Sequence, residues 1–286
     1  MKIALVGSSG YIAGYLLERF SVEPSVNKVL QIDQNGNAQA YLNLLEPENF
    51  DYSILDEMDY VIFTAAVSGP DKCAAEYDFC WSVNVTGTIY FIRKALNRNC
   101  RVLFFSSDAV FGDIPGEIYT EKSETRAETP YGRMKKAVED EFKKNSRFKA
   151  IRLSYVVSTR DRFVSYCLEC MQKNEAADIF HPFYRNCIVV SDVVDVIIWF
   201  INHWSEYPDF ALNVAGSELI SRIRIADELN RQFANRLKYT ISTPDGNFYK
   251  NRPQITQMKS LYMQEYGILK DETFTEKLKK ELSFLT

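Results

Sequence analysis

Short apolar runs alternate along the chain with longer stretches of mixed polarity. The apolar runs are short enough for buried strands, and the stretches between them are typical of helices. Regular alternation of strand and helix favours a parallel sheet with helices on both faces. Strands are predicted at 2–6, 29–33, 59–66, 101–107 and 151–157, with a weaker one at 40–45. Helices are predicted after Gly14, from about Asp71 to Asn97, and from Thr129-Pro130 onward.

A glycine-rich turn follows the first strand. Gly7-Ser8-Ser9-Gly10-Tyr11-Ile12-Ala13-Gly14 joins that strand to an amphipathic helix, which is the context of a phosphate-binding loop. Gly7 can take the tight turn because it lacks a Cβ, and the start of the helix directs N–H groups at an anion. The sequence therefore predicts a Rossmann-like doubly wound parallel sheet whose loop contacts a dinucleotide through Gly7, Ser9, Gly10, Tyr11 and Ile12. Taken alone, the motif also fits a turn that binds nothing.

An acidic residue ends the second predicted strand. Asp33 stands 19 positions after Gly14 and can accept hydrogen bonds from the adenosine ribose. Its charge would repel a 2′-phosphate, so NAD is favoured as the cofactor, with NADP left open. The predicted strand 59–66 runs into the small residues Ala65 and Ala66, beside which a cofactor can lie close to the backbone.

Composition limits the partners. The length of 286 residues fits one large α/β domain, or a domain with a small lobe. A net charge of −4 lacks the basic excess of proteins that bind nucleic acid or anionic membranes. No apolar run reaches the ~18 residues of a membrane span, and the first strand begins too early for a signal peptide. A cytoplasmic protein with no nucleic-acid or membrane partner is predicted.

Six cysteines are scattered through the chain. They are predicted to be reduced, buried thiols rather than a disulfide framework. Cys167 and Cys170 have the spacing of a metal-ligand pair, but no second pair exists, and the two histidines are His181 and His203. A helix face carrying two thiols is favoured, and no metal site is expected.

Tyr131 and Lys135 stand four residues apart and share one face of a predicted helix. A lysine charge about 4–5 Å from a phenol is worth about 3–4 kcal/mol at an effective dielectric constant near 20. That interaction would lower the pKa of Tyr131 toward neutrality, so the phenol could exchange a proton with an alcohol or ketone. Ser107 ends the preceding strand, where its hydroxyl could bind the same oxygen. The alternative is a surface helix pair.

These motifs resemble the extended short-chain dehydrogenases/reductases of the sugar-nucleotide branch, the NAD-dependent epimerase/dehydratase family. The loop 7–14 matches the family's glycine motif, with Ala13 in place of the third glycine, and 84–88 matches its Asn-x-x-Gly-Thr segment. The resemblance implies a mainly structural role for Asn84. It also implies that Ser107, Tyr131 and Lys135 are catalytic, and that Tyr131 and Lys135 contact the cofactor as well.

The second half of the chain resembles the smaller lobe of the same family, in segments 189–196 and 212–216 and around Arg252-Pro253. The resemblance implies a nucleotide-sugar substrate. Ser107 and Asp108 are expected to contact this substrate, and Arg185 and Arg252 to bind its diphosphate, because a guanidinium fork suits that group. Solvated arginines are the alternative, and His181 is expected to pack within the lobe. The implied domains are a Rossmann domain of 1–160 plus about 187–215, and a smaller substrate lobe of about 161–186 and 216–286.

The segment 106–111 resembles that of the dTDP-4-dehydrorhamnose reductases, except that Ala109 replaces an aromatic residue. The implied activity is an NAD(P)H-dependent reduction of a nucleotide-linked 4-keto-6-deoxy sugar. A 4,6-dehydratase is disfavoured, because Asp108 is followed by Ala109 instead of the glutamate that such enzymes carry. A nucleotide-sugar 4-epimerase and a catalytically silent cofactor-binding regulatory protein stay open. The oligomeric state also stays open, with a homodimer as one expectation.

Overall fold

The computed structural model describes residues 1–283. Its strands are β1 (Lys2–Val6), β2 (Lys28–Asp33), β3 (Ala40–Tyr41), β4 (Tyr60–Phe63), β5 (Arg101–Ser107), β6 (Ile118–Tyr119), β7 (Phe148–Leu153), β8 (Val156–Val157), β9 (Ala176–Phe180), β10 (Tyr184–Arg185), β11 (Ile188–Val189), β12 (Ala211–Val214), β13 (Ile220–Ser221), β14 (Lys238–Ser242) and β15 (Ile255–Met258). Its α-helices are α1 (Tyr11–Phe20), α2 (Pro70–Ala75), α3 (Tyr77–Trp81), α4 (Thr88–Asn97), α5 (Pro130–Phe142), α6 (Arg162–Lys173), α7 (Val190–His203), α8 (Arg222–Gln232), α9 (Gly246–Lys250) and α10 (Phe274–Leu282).

Seven strands form the main sheet, in the order β12-β7-β5-β4-β1-β2-β3. β1 pairs in parallel with β2 on one side and β4 on the other, and β4 pairs in parallel with β5. The strand order reverses between β1 and β4, so their carboxyl ends flank a crevice of the kind that binds ligands in open α/β sheets. β4 is buried along its whole length, as expected where helices cover both faces. The predicted Rossmann-like α/β fold is confirmed.

Two compact units divide the chain. Unit 1 consists of Met1–Gly112, Glu124–Arg152 and Ile197–Leu212, and it holds β1–β5 and α1–α5. Unit 2 consists of Asp113–Ser123, Leu153–Val196 and the chain from Asn213 onward.

The bounds of the two units differ from the predicted domains at four segments. Residues 113–123, 153–160, 187–196 and the short end 213–215 belong to unit 2, whereas the sequence had assigned them to the Rossmann domain. The reason is strand pairing. β6 pairs with β15, and β8 pairs with β11, so each short strand is hydrogen-bonded to a partner in unit 2.

Unit 2 is built from short strands and amphipathic helices. β13-β10-β15-β6 form one sheet, while β11 pairs with β8 and β14 with β9. Helices α6, α8 and α10 pack into a common apolar core that includes Cys167, Ile225, Leu229, Leu278 and Leu282. Burial of these side chains accounts for the helical periodicity of the three segments.

Two predicted elements are divided in the structure. The stretch from Asp71 to Asn97 is not one helix but α2, α3, a π-helical turn at Ser82–Gly87 and α4. Within that turn Asn84 accepts a hydrogen bond from the Val67 N–H at 2.8 Å and donates one to the Val67 carbonyl at 2.9 Å. The predicted strand 151–157 is the end of β7 followed by the separate strand β8.

All six cysteines are buried and unbridged, which confirms the predicted buried thiols. Cys167 and Cys170 both lie on α6. Within residues 1–283, no group of three histidine, cysteine or acidic side chains is arranged to hold a metal ion. The same residues contain no helix that combines the length and the apolar composition needed to cross a membrane.

We predict that Gly87→Ala destabilises the protein strongly. A Cβ at Gly87 would lie 1.8 Å from the Leu44 carbonyl oxygen and 2.8 Å from its carbon, so the backbone would have to move. Overpacking of this kind typically costs about 1–3 kcal/mol. Urea unfolding would measure the loss, and Gly36→Ala is the control, because nothing lies within 4 Å of a Cβ there. Equal midpoints for the two variants would contradict the prediction.

Candidate cofactor and catalytic site

The glycine loop in unit 1 turns sharply between β1 and α1. Gly7 has a φ of +83°, and a Cβ there would lie 2.6 Å from the Ala65 nitrogen. The Gly10 N–H donates to the Gly7 carbonyl at 2.9 Å, and α1 begins at the next residue. The loop therefore packs against the backbone after β4, and the amino terminus of α1 opens beside it, where backbone N–H groups favour a phosphate.

Asp33 holds this loop in place. Its Oδ2 accepts hydrogen bonds from the Ser9 N–H at 2.9 Å and the Ser9 hydroxyl at 2.8 Å, and its Oδ1 accepts one from the Asn35 N–H at 3.1 Å. Asp33 as a whole residue is 7% exposed. A carboxylate offers about four acceptor positions, so these three bonds leave Asp33 able to accept from a ribose hydroxyl.

A cavity of about 310 Å³ opens at the loop. Its lining includes six of the predicted cofactor contacts, which are Gly7, Ser9, Gly10, Asp33, Ala65 and Ala66. Tyr11 and Ile12 lie in the first turn of α1 instead. Lys72 and Phe79 also line the cavity, and sequence reasoning missed them because nothing in the stretch from Asp71 to Asn97 indicated where its helix is divided. A glycine cradle, an acid at the second strand and a helix terminus together fit the adenosine diphosphate part of a dinucleotide.

Helix α5 carries the tyrosine and the lysine. Thr129 caps it by accepting a hydrogen bond from the Gly132 N–H at 3.2 Å, as the predicted start at Thr129-Pro130 requires. A Cβ at Gly132 would lie 2.1 Å from the Ala109 carbonyl oxygen. The lack of a side chain at Gly132 therefore lets α5 approach the turn that follows β5.

Tyr131 and Lys135 lie close together on the inner side of this helix. The Lys135 ammonium is 5.7 Å from the Tyr131 ring centre and 4.6 Å from that of Phe104. It donates a hydrogen bond to the Phe105 carbonyl oxygen at 2.7 Å. The lysine charge is thus anchored to β5.

Ser107 ends β5 and caps the short helical turn Asp108–Val110. Its hydroxyl donates to Asp108 Oδ1 at 3.0 Å and accepts from the Ala109 N–H at 3.2 Å. Asp108 is also close enough to Tyr131 to act on its pKa. Unit 1 therefore brings Ser107, Asp108, Tyr131 and Lys135 together at the carboxyl end of β5.

The pKa of Tyr131 differs in direction from the sequence prediction. Burial raises the pKa of Tyr131 well above its usual range, and the nearby Cys73 and Asp108 raise it further. Burial also lowers the pKa of Lys135 to about 7. The prediction that the lysine lowers the phenol pKa is therefore wrong for this structure, because it counted the attraction between the two groups and omitted their loss of hydration.

A buried ion pair lies one helical turn beyond Lys135, and sequence reasoning missed it. Glu139 accepts from Arg152 Nε at 3.1 Å and from Nη2 at 2.6 Å, and both side chains are 3% exposed. The Ser106 hydroxyl donates to Glu139 Oε1 at 2.5 Å. The available signal was the spacing of Tyr131, Lys135 and Glu139, which repeats every four residues on one helix face.

The predicted diphosphate contacts belong to unit 2. Arg185 donates to the carbonyl oxygens of Tyr184 at 2.6 Å, Pro253 at 2.8 Å and Gln254 at 3.3 Å. Its guanidinium therefore links β10 to the residues just before β15. Arg252 donates to the Phe248 carbonyl at 2.8 Å. That either arginine binds a substrate stays a prediction.

Unit 2 contains a further arginine in an unusual environment, Arg222, which the sequence did not single out. Its guanidinium carbon lies 4.7 Å from the ring centre of Phe183 and 5.1 Å from that of Phe163. Its Nε is buried and has no hydrogen-bond partner among residues 1–283. No sequence motif marks this residue, because the rings that surround it come from distant segments.

Comparison with solved structures gives the same fold. A dTDP-4-dehydrorhamnose reductase from Clostridium acetobutylicum is similar over 100% of this chain and 99% of that chain, with 20% identity and a TM-score of 0.82. MoeE5 in complex with UDP-glucose and NAD is similar over 100% and 98%, with 18% identity and a TM-score of 0.83. A UDP-glucose 4-epimerase from Thermotoga maritima is similar over 100% and 98%, with 16% identity and a TM-score of 0.81.

Among curated sequences, an uncharacterized protein of Sinorhizobium fredii, y4nG, is 29% identical over 150 residues. The match spans 49% of this chain and 36% of the length of that protein.

The fold and the site define an α/β protein with a dinucleotide-type loop and a tyrosine–lysine pair. The profile of the NAD dependent epimerase/dehydratase family matches residues 3–215, which is most of the chain. The chain belongs to that family.

We predict that the stability contribution of Lys135 depends on pH. Lysine titrates near 10.4 in an unfolded chain and at about 7 in this fold. Between these values the unfolded state binds more protons, so the penalty for burying the charge is complete below pH 7 and declines as the pH rises toward about 10. Urea unfolding should show the wild type gaining stability relative to Lys135→Met across that window.

Lys279→Met is the matched control for this experiment, because Lys279 is exposed on α10. Its difference from the wild type should stay constant with pH. A constant difference for Lys135→Met as well would contradict the prediction.

Proposed function

We propose that the protein is an NAD(H)-dependent reductase of a nucleotide-linked 4-keto-6-deoxy sugar. The observation that carries the proposal is the joint presence in unit 1 of the glycine-loop cavity and of Ser107, Tyr131 and Lys135 around the end of β5. A protein retained only for cofactor binding would not need the three side chains of the second group. Family membership supports a dinucleotide-dependent reaction, and the similar dTDP-4-dehydrorhamnose reductase supports this choice of substrate.

The cofactor part of the proposal rests on the loop and on Asp33. The amino terminus of α1 would hold the diphosphate, and Asp33 would accept a hydrogen bond from the adenosine ribose. A 2′-phosphate would lie close to the Asp33 carboxylate, so we propose NAD(H) over NADP(H). Bound NADH supplies the hydride for the ketone carbon.

The remaining chemistry belongs to side chains of unit 1. The Tyr131 phenol gives its proton to the ketone oxygen, and the Ser107 hydroxyl would turn from Asp108 to donate a hydrogen bond to that oxygen. Because burial raises the pKa of Tyr131, the phenol is protonated at neutral pH, as a proton donor must be. The Lys135 ammonium, anchored on the Phe105 carbonyl, lies beside the phenol and would contact the nicotinamide ribose.

The turn after Ser107 argues against elimination chemistry. A 4,6-dehydratase needs one group to protonate the departing hydroxyl and another to remove a proton beside the ketone. This chain has Asp108 followed by Ala109, and the contribution of Ala109 is a backbone N–H bound to Ser107. Simple hydride transfer is the reaction that these groups can support.

Cofactor stoichiometry tests the proposal. With NADH and a dTDP-linked 4-keto-6-deoxy sugar, we expect one NADH to be oxidised for each sugar reduced, seen as a loss of nicotinamide absorbance. Conversion of a UDP-sugar into its 4-epimer with no net oxidation would support a 4-epimerase instead. Cofactor binding without turnover on a panel of both substrate classes would support the silent regulatory protein.

We predict that Tyr131→Phe lowers turnover by about 100-fold or more, because the phenyl ring has no proton to give. The affinity for NADH should stay nearly unchanged, as measured by fluorescence titration. Lys135→Ala should weaken both the NADH affinity and the rate. Tyr166→Phe is a control, because Tyr166 is an exposed tyrosine of unit 2. Full activity of Tyr131→Phe would remove this phenol from the mechanism.

A further inference from the structure

A second cavity in unit 1 lies away from the glycine loop. It has a volume of about 670 Å³ and is formed by the loop between α5 and β7, the loop between α7 and β12, and Arg101 at the start of β5. Arg101 is the first residue of its strand, whereas the glycine loop follows the last residue of β1. Because β1, β4 and β5 are parallel, the glycine-loop cavity lies at the carboxyl ends of the strands and the second cavity at their amino ends, which are opposite edges of the sheet.

The lining of this second cavity is strongly cationic. It contains one carboxylate, Asp209, and five cations, which are Arg101, Lys143, Lys144, Arg147 and Lys149. The whole chain carries a net charge of −4, so this concentration of positive charge runs against the average of the molecule. Like charges gathered around one cavity repel one another, and an anion bound among them would relieve that repulsion.

Both guanidinium groups of this lining are oriented by neutral oxygens. Arg101 donates to the Tyr60 hydroxyl at 2.8 Å, and Arg147 donates to the Asn99 side-chain oxygen at 2.5 Å. A bond to a neutral acceptor fixes the direction of a guanidinium without cancelling its charge. Lys143 differs, because it forms an ion pair with Asp140 at 2.8 Å.

Lys149 is a buried charge in the wall of the cavity. It is 5% exposed, and its ammonium donates to the carbonyl oxygens of Tyr207 at 2.5 Å and Asp209 at 3.0 Å. The Trp204 and Tyr207 ring centres lie 5.3 Å and 4.8 Å from it. Burial lowers the pKa of Lys149 to about 8, so a negative ligand in the cavity would favour its charged form.

We propose that this cavity is a second anion site, which binds a small phosphorylated compound that carries a diphosphate. Guanidinium groups match phosphate oxygens through paired N–H donors, and the volume is within the range of small-molecule sites. The proposal does not depend on the reductase activity, because it concerns the opposite edge of the sheet and uses none of the residues assigned to catalysis.

Calorimetric titration with inorganic pyrophosphate tests the site, with NADH present at saturation so that the glycine loop is filled. The test variant is the double replacement Lys144→Glu with Arg147→Glu. Its control is Lys279→Glu with Arg236→Glu, two exposed positions in unit 2 that change the net charge by the same amount. We expect the affinity for pyrophosphate to fall at least about tenfold in the test variant and to stay at the wild-type value in the control.

Parallel titration with ADP identifies the source of the diphosphate. Tighter binding of ADP than of pyrophosphate would assign the site to a nucleotide, and equal binding would assign it to the diphosphate alone. Circular dichroism and NADH affinity would establish that the test variant is folded. No binding of pyrophosphate or ADP by the wild type, or equal losses in the test variant and the control, would overturn the proposal.

Discussion

The close approach of α5 to β5 is the constraint on which the candidate catalytic half of the site depends. Gly132 permits that approach, because a side chain there would meet the Ala109 carbonyl. The Lys135 ammonium then reaches the Phe105 carbonyl, and Glu139 reaches Arg152 and Ser106. Removing one partner of a buried ion pair costs several kcal/mol, so this contact resists any rotation of the helix. These contacts of Gly132, Lys135 and Glu139 together fix the position of Tyr131 on the same helix.

The candidate cofactor half depends on a similar constraint of space. Gly7 fits against Ala65 because it has no side chain, and Asp33 binds the loop through Ser9. The Asp33 carboxylate, which is proposed to bind the ribose, therefore also fixes the conformation of the loop that is proposed to bind the diphosphate. A substitution at Asp33 would change both, so its effect on cofactor choice is best interpreted together with loop stability.

Burial keeps Tyr131 protonated, so in the proposed reaction the proton moves from the phenol to the ketone oxygen. A phenol that loses hydration is harder to ionise, and Tyr131 is accordingly held in its protonated form. An ammonium that loses hydration releases its proton more readily, and the pKa of Lys135 falls to about 7. The pair therefore combines a proton donor with a lysine whose charge responds to pH near neutrality. That combination suits reduction of a ketone, in which the oxygen gains a proton.

The sequence by itself determined the α/β class, the glycine loop, the acid at the second strand and the start of α5 directly after its cap, Thr129. Each depends on residues that are neighbours in the chain, so strand length, helix caps and glycine spacing report them directly. The four-residue spacing of Tyr131 and Lys135 and the strand-end position of Ser107 also came from the sequence, and the family resemblance implied their roles.

Only the tertiary structure decided the bounds of the two units, the division of the stretch from Asp71 to Asn97, the pKa of Tyr131 and the Glu139–Arg152 pair. It also decided the environments of Arg222 and Lys149. These features depend on contacts between distant segments and on loss of water, and periodicity along the chain carries no record of either.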